Sequence, residues 1–296
     1  MLVVYSFIGK LPNYIIDTVY QTRLFFDGDI YLILDDLNNP HLEKLKEFNV
    51  KLINYGDVID KEFLEICKKR KNKISVINGL GDRKLLFLRS MERFFLLQNL
   101  IQKENLENIL FLELDNLIYD DPGNWEEELK ENCYLVYVNS NMISSGIMFV
   151  KDLTSIKIIT NNLTEYVKKD QGFVSEMKGN WLVRDKVYFL PTHWKDEKYN
   201  ELSYRNYSNF GKSIFDGLSI GWYFLGPDPF QKKWRQQWNN GNKKNPWGEI
   251  DYTKYKYEWI KDERGRKRPY FIINNEKILI NNLHIHSKNL KAGLSK

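Results

Sequence analysis

The stretch from Ile109 to Pro122 reads ILFLELDNLIYDDP, and it combines a buried-strand pattern with two acidic residues. The run of large apolar residues predicts a strand over 109–114, yet Glu113 and Asp115 interrupt the run two positions apart. Burial of an isolated carboxylate is costly, so each of these side chains requires a compensating partner. Spacing alone leaves two alternatives open: a divalent cation between the two carboxylates, or protein partners such as an arginine or a helix end.

Short apolar strands alternate with amphipathic helices on both sides of this stretch. The pattern predicts strands at 2–5, 30–34, 50–54, 109–114, 134–138 and 145–150, and helices at about 13–26, 41–48, 83–103 and 155–168. This alternation is typical of an α/β fold with a mostly parallel central sheet flanked by helices. Ligands of such sheets bind outside the carboxyl ends of the strands, which is where Glu113 and Asp115 are expected.

Composition and charge narrow the class of protein. The 296 residues are 43% hydrophobic and 28% charged, which indicates a globular protein, and the net charge of +5 is mild and scattered. Nucleic acid is therefore not an expected partner, although an anionic small molecule would suit. The densest basic run, Arg264 to Arg268, follows two acidic residues and predicts a hairpin turn. After Asn180 the sequence becomes rich in aromatic residues and loops, with no linker, so we expect one domain over 1–296.

Cellular location and redox state follow from what the sequence contains. Cys67 and Cys133 are predicted to be reduced structural cysteines, because two distant thiols define neither a disulfide framework nor a zinc site. No stretch is long and apolar enough to predict a membrane span or a secretory signal. We expect a cytoplasmic protein.

The end of the chain reads LHIHSKNL from Leu283 to Leu290. If 282–288 is extended, alternation places His284, His286 and Lys288 on one face. Imidazole is a metal ligand, and an ammonium group would suit a diphosphate. The alternative is that both histidines are strand residues with polar partners.

These motifs together resemble those of glycosyltransferases with the GT-A fold. The Glu113-Leu-Asp115 triplet, between an apolar strand and Asp-Pro, resembles their D-x-D element, which holds manganese or magnesium on the diphosphate of a nucleotide sugar. Further elements follow the order seen in these enzymes: Ser90-Met-Glu-Arg93, Ser144-Ser145-Gly146, and Asp170-Gln171-Gly172 through Glu176 followed by Leu190-Pro191.

A closer resemblance is to a family of predicted glycosyltransferases found in bacteria and large DNA viruses. It is carried by YSFIGKLP, DGDIYLILDD, IFDGLSIGWYFLGPDP and NNLHIHSKNL, and it runs from Tyr5 to Leu290, although Trp222 stands where the family usually has glutamine. The resemblance implies a GT-A fold with a nucleotide-binding half over 1–120. It implies an acceptor-binding half over 121–296 that ends in a metal and diphosphate segment.

The resemblance also implies roles for individual residues. The metal ligands would be Glu113, Asp115, His284 and His286, with Mn²⁺ or Mg²⁺ as the cofactor. The donor, a nucleoside-diphosphate sugar, would contact Tyr5, Ser6, Phe7, Arg93, Ser145, Gly146 and Lys288. The acceptor would be a hydroxyl of a glycan or of another compound.

A catalytic base is harder to assign. Asp216 is the first choice, since neighbouring glycines permit a tight turn that presents a carboxylate, but it could equally be a turn aspartate bonded to its own backbone. Glu176 is the rival, and retention or inversion of configuration stays open. Aromatic rings stack on sugars, so Trp222, Trp234, Trp238 and Trp247 form either an acceptor platform or part of the core.

Two other functions compete with sugar transfer. A nucleotidyltransferase that makes sugar nucleotides also uses a metal between carboxylates, but it needs a glycine-rich basic loop after the first strand. SFIGKLPNY offers one glycine and one lysine there. A non-catalytic carbohydrate-binding protein would suit the tryptophans, but it leaves Glu113, Asp115 and the histidines without a purpose.

Overall fold

The structure is a computed structural model, described here for residues 1–69, 85–169 and 175–296. Its strands are β1 (Leu2–Phe7), β2 (Ile30–Leu34), β3 (Val50–Asn54), β4 (Ile109–Leu112), β5 (Asn116–Ile118), β6 (Cys133–Asn139), β7 (Met142–Val150), β8 (Tyr188–Leu190), β9 (Lys256–Lys261), β10 (Lys267–Ile273), β11 (Glu276–Leu279) and β12 (Asn282–His284). Its α-helices are α1 (Ile15–Arg23), α2 (Leu42–Lys46), α3 (Tyr55–Val58), α4 (Lys61–Lys69), α5 (Leu86–Glu104), α6 (Leu153–Lys169), α7 (Glu176–Trp181), α8 (Ile220–Leu225) and α9 (Lys232–Asn239).

A seven-stranded sheet in the order β3-β2-β1-β4-β7-β6-β8 forms the centre of the fold. Strands β1 to β4 pair in parallel, β6 pairs in parallel with β8, and β7 runs antiparallel to both β4 and β6. The predicted fold class, a mostly parallel sheet flanked by helices, is confirmed. Because β1, β2 and β4 are parallel, their carboxyl ends meet at one edge of the sheet.

Both faces of the sheet are buried, and alternation along the strands divides their side chains between two cores. Val3 and Tyr5 of β1 pack in the core on the side of α1, whereas Val4 packs in the core on the side of α5 and α6. In β4, Leu110 and Leu112 belong to the first core. This two-sided burial explains why the parallel strands read as continuous apolar runs.

Several predicted boundaries shift. The strand predicted over 109–114 ends at Leu112, and the helix predicted over 13–26 spans Ile15–Arg23. The helix predicted over 83–103 is present as α5, but residues 83 and 84 lie outside the described residues, as does the motif at 170–172. Helix α5 ends at Asn105 in the left-handed conformation, which asparagine tolerates better than most residues.

The second half of the chain adds two antiparallel sheets to this frame. Strands β9, β10 and β11 form one of them, and the basic run at 264–268 lies at the predicted hairpin turn, where Gly265 has a φ of 75°. Strand β12 pairs with β5, which brings the end of the chain back to the acidic stretch. Cys67 and Cys133 are buried and unbonded, as predicted. Among the described helices, none combines the length and the apolar character needed to cross a membrane.

Candidate active site

A cavity of about 530 Å³ lies at the carboxyl ends of β1, β2 and β4. Its wall includes Ser6, Phe7 and Gly9 from the end of β1 and the loop after it, Asp35 from the end of β2, Arg89 and Arg93 of α5, and Glu113, Asp115 and Lys288. Its volume is in the range of small-molecule sites. The edge of the sheet predicted to bind ligand therefore carries a cavity lined by the predicted residues.

The two acidic residues lie in a turn between β4 and β5, so the predicted strand geometry at Glu113 and Asp115 was wrong. The turn is closed by the N–H of Asn116, which donates to the carbonyl of Glu113 at 2.9 Å. It is fixed to β7 because the N–H of Glu113 donates to the carbonyl of Gly146, also at 2.9 Å. A hydrogen-bonded turn therefore brings the two carboxylates to the same place.

The end of the chain reaches this turn by strand pairing. His284 of β12 lies opposite Asn116 of β5, and the N–H of Ile285 donates to the carbonyl of Asp115 at 2.7 Å. The extended conformation predicted over 282–288 was wrong beyond His284. The N–H of Lys288 donates to the carbonyl of Ile285 at 3.0 Å, and Lys288 has a φ of 60°. This turn directs the Lys288 side chain back to Asp115.

Glu113, Asp115 and His284 form the group of described residues suited to a metal ion. The Nε2 atom of His284 lies 2.9 Å from Oε2 of Glu113 and 3.4 Å from Oδ2 of Asp115. One ligand atom from each of the three residues lies within 4.8 Å of the others. The other ring nitrogen, Nδ1, is 3.2 Å from the carbonyl of Gly217, which orients the ring toward the carboxylates. The donor set of two carboxylates and one imidazole fits a divalent cation.

Gly146 allows the imidazole to come this close to β7. A Cβ atom at this position would lie 3.0 Å from Nδ1 and 3.1 Å from Cε1 of His284, and 3.5 Å from Oε2 of Glu113. Distances of this size are tighter than ordinary van der Waals contact, so a side chain would displace the ring. The predicted proximity of Gly146 to the site thus has a steric reason.

Protein cations already compensate the two carboxylates. Arg93 pairs with Glu113 and Lys288 pairs with Asp115, in direct contact in both cases. Arg93 is buried, and only about a quarter of the side-chain surface of Glu113 and of Lys288 is exposed. The alternative in which an arginine meets the acidic pair is therefore realised, together with the cluster that would hold a cation.

The charges shift the pKa values of this cluster in opposite directions. Burial raises the pKa of Glu113, but Arg93 and His284 outweigh burial and hold that pKa below its usual range. Burial also raises the pKa of Asp115, and Lys288 and His284 bring it well below normal. For His284, burial lowers the pKa, while the two carboxylates raise it well above the usual value. The imidazole is therefore protonated at neutral pH, and a cation would have to displace this proton.

A buried polar network supports Arg93 from behind. Its Nη2 atom donates to Oγ of Ser145 at 2.8 Å and lies 3.2 Å from Oε1 of Glu176. That carboxylate oxygen also accepts from Nδ2 of Asn180 at 2.8 Å and from the backbone and the hydroxyl of Ser145. Burial raises the pKa of Glu176, and Arg93 offsets this only in part. Among the described residues Glu176 does not line the cavity, so its contacts favour positioning of Arg93 over a role as base.

Asp216 is buried, and backbone N–H groups occupy both of its carboxylate oxygens. Its Oδ1 atom accepts from Leu218 at 3.0 Å and from Ile220 at 2.9 Å, while Oδ2 accepts from Gly221 at 2.6 Å and from His284 at 2.9 Å. This geometry favours the turn aspartate of the two alternatives. Through the N–H of His284, it also fixes the backbone of a candidate ligand.

His286 and the tryptophans lie on the far side of His284. The rings of His286 and His284 stack with centroids 4.2 Å apart, and Nε2 of His286 is 3.0 Å from the carbonyl of Leu218. Burial lowers the pKa of His286 to about 3. Trp222 is buried, and its ring meets those of His286 and Trp247 edge-on. The role of His286 as a ligand and the acceptor role of Trp222, Trp234, Trp238 and Trp247 stay predictions.

The first strand divides the predicted donor residues. Ser6 and Phe7 line the cavity, but Tyr5 is fully buried and its hydroxyl bonds to Thr22 at 2.6 Å. Sequence reasoning missed Asp35, whose carboxylate accepts from the N–H of Gly9 at 2.9 Å and fixes the loop after β1. Its signal was its position directly after the second parallel strand.

Asn282 is a second residue that the sequence analysis missed. Its side chain accepts from the N–H of Asp216 at 2.9 Å and donates to Oδ1 of Asn116 at 2.6 Å. It therefore joins the acidic turn, the Asp216 loop and the end of the chain. Only its place beside the LHIH segment could have indicated it.

Comparison with known proteins found relatives among solved structures alone. No family model matches the chain, and no curated protein matches it. Mouse xyloside xylosyltransferase 1 is 12% identical with a TM-score of 0.42, over 67% of this chain and 86% of that chain. The glycosyltransferase PaToxG is 12% identical with a TM-score of 0.40, over 62% and 69% of the two chains. The galactosyltransferase LgtC, in complex with donor and acceptor sugar analogues, is 13% identical with a TM-score of 0.41, over 64% and 73%. At these low scores and identities the matches carry no conclusion about activity.

Proposed function

We propose that this protein is a divalent-metal-dependent glycosyltransferase that moves a sugar from a nucleoside-diphosphate sugar to a hydroxyl of a glycan or another acceptor. The observation that carries the proposal is the convergence of Glu113, Asp115 and His284, with ligand atoms within 4.8 Å of one another. Two of these residues lie at the wall of a cavity that also receives Lys288. Acidic ligands beside a lysine suit a metal-bound diphosphate.

Glu113, Asp115 and His284 would hold the cation, Mn²⁺ or Mg²⁺. Such a cation supplies Lewis-acid stabilisation of the negative charge on a leaving diphosphate. The oxygen-rich donor set is the kind that these ions prefer. The proposed role of His286 is to buttress the imidazole of His284 by stacking.

Lys288 has the clearest direct role toward the donor. Its ammonium group lies on the cavity wall and remains charged, because Asp115 outweighs burial and raises its pKa. Positive charge placed in advance where negative charge develops lowers the barrier to transfer. Arg93 also lines the cavity, but its guanidinium is engaged by Glu113, Ser145 and Glu176, so its main role is to hold Glu113 in place.

The nucleotide part of the donor would lie along the loop after β1. Ser6, Phe7 and Gly9 line this part of the cavity, and the contact between Asp35 and Gly9 holds the loop in place. The aromatic ring of Phe7 offers a stacking surface for a base, and Ser6 a hydroxyl for hydrogen bonding. Ser145 and Gly146 would act from behind the metal group, by bonding Arg93 and by leaving space for His284.

The carboxylates that line the cavity among the described residues are Asp35, Glu113 and Asp115, and each has a partner. Asp216 and Glu176 remain the predicted bases, but their buried contacts support positioning roles. The proposal therefore assigns activation of the donor to this chain's cations and leaves the stereochemistry of transfer open.

Two observations weigh against the rival functions. A nucleotidyltransferase would cradle a triphosphate in a glycine-rich basic loop, whereas the loop after β1 is fixed by Asp35, an acidic residue. A non-catalytic carbohydrate-binding protein has no use for two buried carboxylates around an imidazole, because the cluster costs desolvation energy without contributing to sugar binding.

The test is a panel of nucleotide sugars with purified protein, in Mn²⁺ and in chelator, with release of nucleoside diphosphate as the readout. We expect release from one or a few donors in Mn²⁺ and its loss in chelator. Release of pyrophosphate from a nucleoside triphosphate and a sugar phosphate would instead establish the nucleotidyltransferase. Carbohydrate binding that ignores chelator, without turnover of any donor, would establish the binding protein.

A further inference from the structure

A second cavity, of about 650 Å³, lies beside the active-site cavity and has a strongly basic wall. It is lined by Asp17, Trp259, Lys261, Lys267, Lys291, Ala292, Leu294 and Lys296. We call it the lysine cavity, after its four lysines. The sequence analysis did not single it out, because the four lysines come from separate parts of the chain.

The positive charge of the lysine cavity is uncompensated. Within the described parts of the chain, no carboxylate lies within 4 Å of the ammonium groups of Lys261, Lys267, Lys291 or Lys296. The single acidic residue in the wall, Asp17, pairs with none of them in the part of the chain that the structure describes. Four cations therefore face one cavity that contains one carboxylate, in a chain whose whole net charge is +5.

Strand pairing adds to this repulsion. Lys261 of β9 and Lys267 of β10 lie directly opposite each other in the antiparallel register. Like charges at directly opposed positions destabilise a sheet. A sheet that keeps this pair without an acidic partner gains stability when an anion binds between the two ammonium groups.

The remaining two lysines are held in place by buried hydrogen bonds. The N–H of Lys267 donates to the carbonyl of Ser295, and the N–H of Ser295 donates to Oε1 of Gln21 at 3.0 Å. Gln21 is fully buried in α1 and also donates to the hydroxyl of Ser295 at 2.7 Å. The segment that carries Lys291 and Lys296 is therefore fixed against α1 and β10, so the lysine cavity is a built feature.

Trp259 gives the cavity a flat apolar wall. Its ring packs edge-on against Tyr119, at 5.6 Å between centroids, and against Phe224 at 6.2 Å. It is half-buried, and its remaining surface faces the lysines. An aromatic ring beside several cations suits a ligand that has both sugar rings and anionic groups.

We propose that the lysine cavity binds an anionic oligosaccharide, one bearing phosphate, sulfate or carboxylate groups, with a sugar ring on Trp259 and the anionic groups among the four lysines. A single-stranded nucleic acid fits less well, since such sites repeat aromatic rings along the strand. A bilayer fits less well because a flat surface cannot enter a cavity.

The two cavities share their walls. Tyr14 of the turn before α1 and Lys288 border the active-site cavity, while Asp17 and Lys291, three residues further on, border the lysine cavity. An anionic chain bound in the lysine cavity can therefore extend toward the active site. Binding in the lysine cavity does not depend on the proposed transfer activity, whereas its use as an acceptor subsite would.

The test uses the whole chain and a fluorescent sulfated dextran oligosaccharide, with the unsulfated oligosaccharide as the comparison, at physiological salt. We expect the sulfated form to bind and the fourfold variant Lys261→Gln, Lys267→Gln, Lys291→Gln, Lys296→Gln to bind it about tenfold more weakly or worse. The matched control changes Lys232, Lys233, Lys243 and Lys244 to glutamine and removes the same charge from the surface around α9. Its affinity should stay within about twofold of the wild-type value.

Further arms decide between the remaining outcomes. Equal losses in the two fourfold variants would overturn the proposal in favour of general electrostatic attraction, and so would no binding by the wild type. Binding of anionic lipid vesicles or of single-stranded DNA that depends on the cavity lysines, without binding of the sulfated oligosaccharide, would also overturn it. The variant Asp115→Asn should bind the oligosaccharide like the wild type, which separates failure of this site from failure of the proposed transferase activity.

Discussion

Lys288 donates to the carboxylate of Asp115, although 173 positions separate the two residues in the chain. The contact depends on two structural events: pairing of β12 with β5 and the turn that places Lys288 at a φ of 60°. Either event alone would leave Asp115 buried without its cation. The site is therefore complete only when the last segment of the chain has folded onto the acidic turn.

The first prediction concerns Asp115 itself. Asp115→Asn keeps the shape of the side chain but removes one of the two carboxylates that would hold the cation. We expect metal-dependent release of nucleoside diphosphate to fall by about a hundredfold or more. The unfolding free energy should fall by about 1–2 kcal/mol, because the freed Lys288 is partly exposed and can reach water.

Asp120→Asn is the matched control for Asp115→Asn. Asp120 pairs with Arg268 at 2.8 Å, and both side chains are about four-fifths buried, away from the cavity. A comparable loss of stability with full activity is expected. Wild-type activity in Asp115→Asn would remove Asp115 from the metal site.

A second prediction tests the space around His284. In Gly146→Ala the new methyl group would lie 3.0 Å from Nδ1 of His284, so the ring must move by a few tenths of an ångström. We expect the affinity for Mn²⁺, measured by titration calorimetry, to fall by about tenfold. Gly56→Ala is the control, since its Cβ would make a similarly close contact, 3.2 Å from Oδ1 of Asn54, far from the site. Unchanged Mn²⁺ affinity in Gly146→Ala would contradict this geometry.

A third prediction concerns the fork of Arg93. In Arg93→Lys one ammonium group cannot reach Glu113, Ser145 and Glu176 together, so a buried carboxylate loses its partner. We expect the unfolding free energy, from urea titration at pH 7, to fall by about 2–4 kcal/mol. Arg205→Lys changes an exposed pair with Glu201 and should cost much less. Similar costs in the two variants would mean that the network around Arg93 contributes little.

The sequence could predict the sheet because each strand's signal is local. Apolar runs such as Ile30–Leu34 and Ile109–Leu112 are buried on both faces, and alternation between two cores requires apolar residues at every position. The location of the site followed from the parallel arrangement alone. The residue types at 113, 115, 284 and 288 then indicated which side chains would meet there.

The details that the sequence could not predict depend on distant contacts. Strand β4 ends at Leu112, opposite Ile147 of β7, so the tertiary pairing and not the apolar run sets the boundary. Lys288 adopts a left-handed conformation that lysine rarely takes, so its own sequence gives no signal for the turn. The pairing of Arg93 with Glu113 likewise depends on how α5 packs on the sheet, which no local pattern specifies.

A fourth prediction separates the two interpretations of Asp216. In Asp216→Asn the amide could keep the bonds of Oδ1, but its NH₂ group would face the N–H groups of Gly221 and His284. We expect a loss of about 1–3 kcal/mol in unfolding free energy. Residual activity should keep the pH dependence of the wild type, because the pH–rate profile reports a base that this residue does not provide. If the ascending limb of that profile disappears, Asp216 is the base after all.

The last prediction concerns the pH dependence of stability through His193. His193 is fully buried among aromatic rings, and burial lowers its pKa to about 4, only partly offset by the carbonyl of Trp194. Because the folded-state pKa is depressed, the unfolded chain takes up a proton below its ordinary pKa of about 6.5 that the folded chain refuses. Stability is therefore fully present above about pH 6.5 and is lost as pH falls toward 4, by on the order of 2–3 kcal/mol.

His193→Phe isolates this contribution because it keeps an aromatic ring against Trp194 and removes the titrating group. Its unfolding free energy, measured by urea titration from pH 8 to 4, should decline less steeply than that of the wild type. The carboxylates titrate in both proteins, so they cancel in the difference. His41→Gln, which changes a histidine bonded to Asn13 near the surface, should keep the wild-type slope. An unchanged slope in His193→Phe would mean that His193 gains a proton in the folded chain as easily as in the unfolded one.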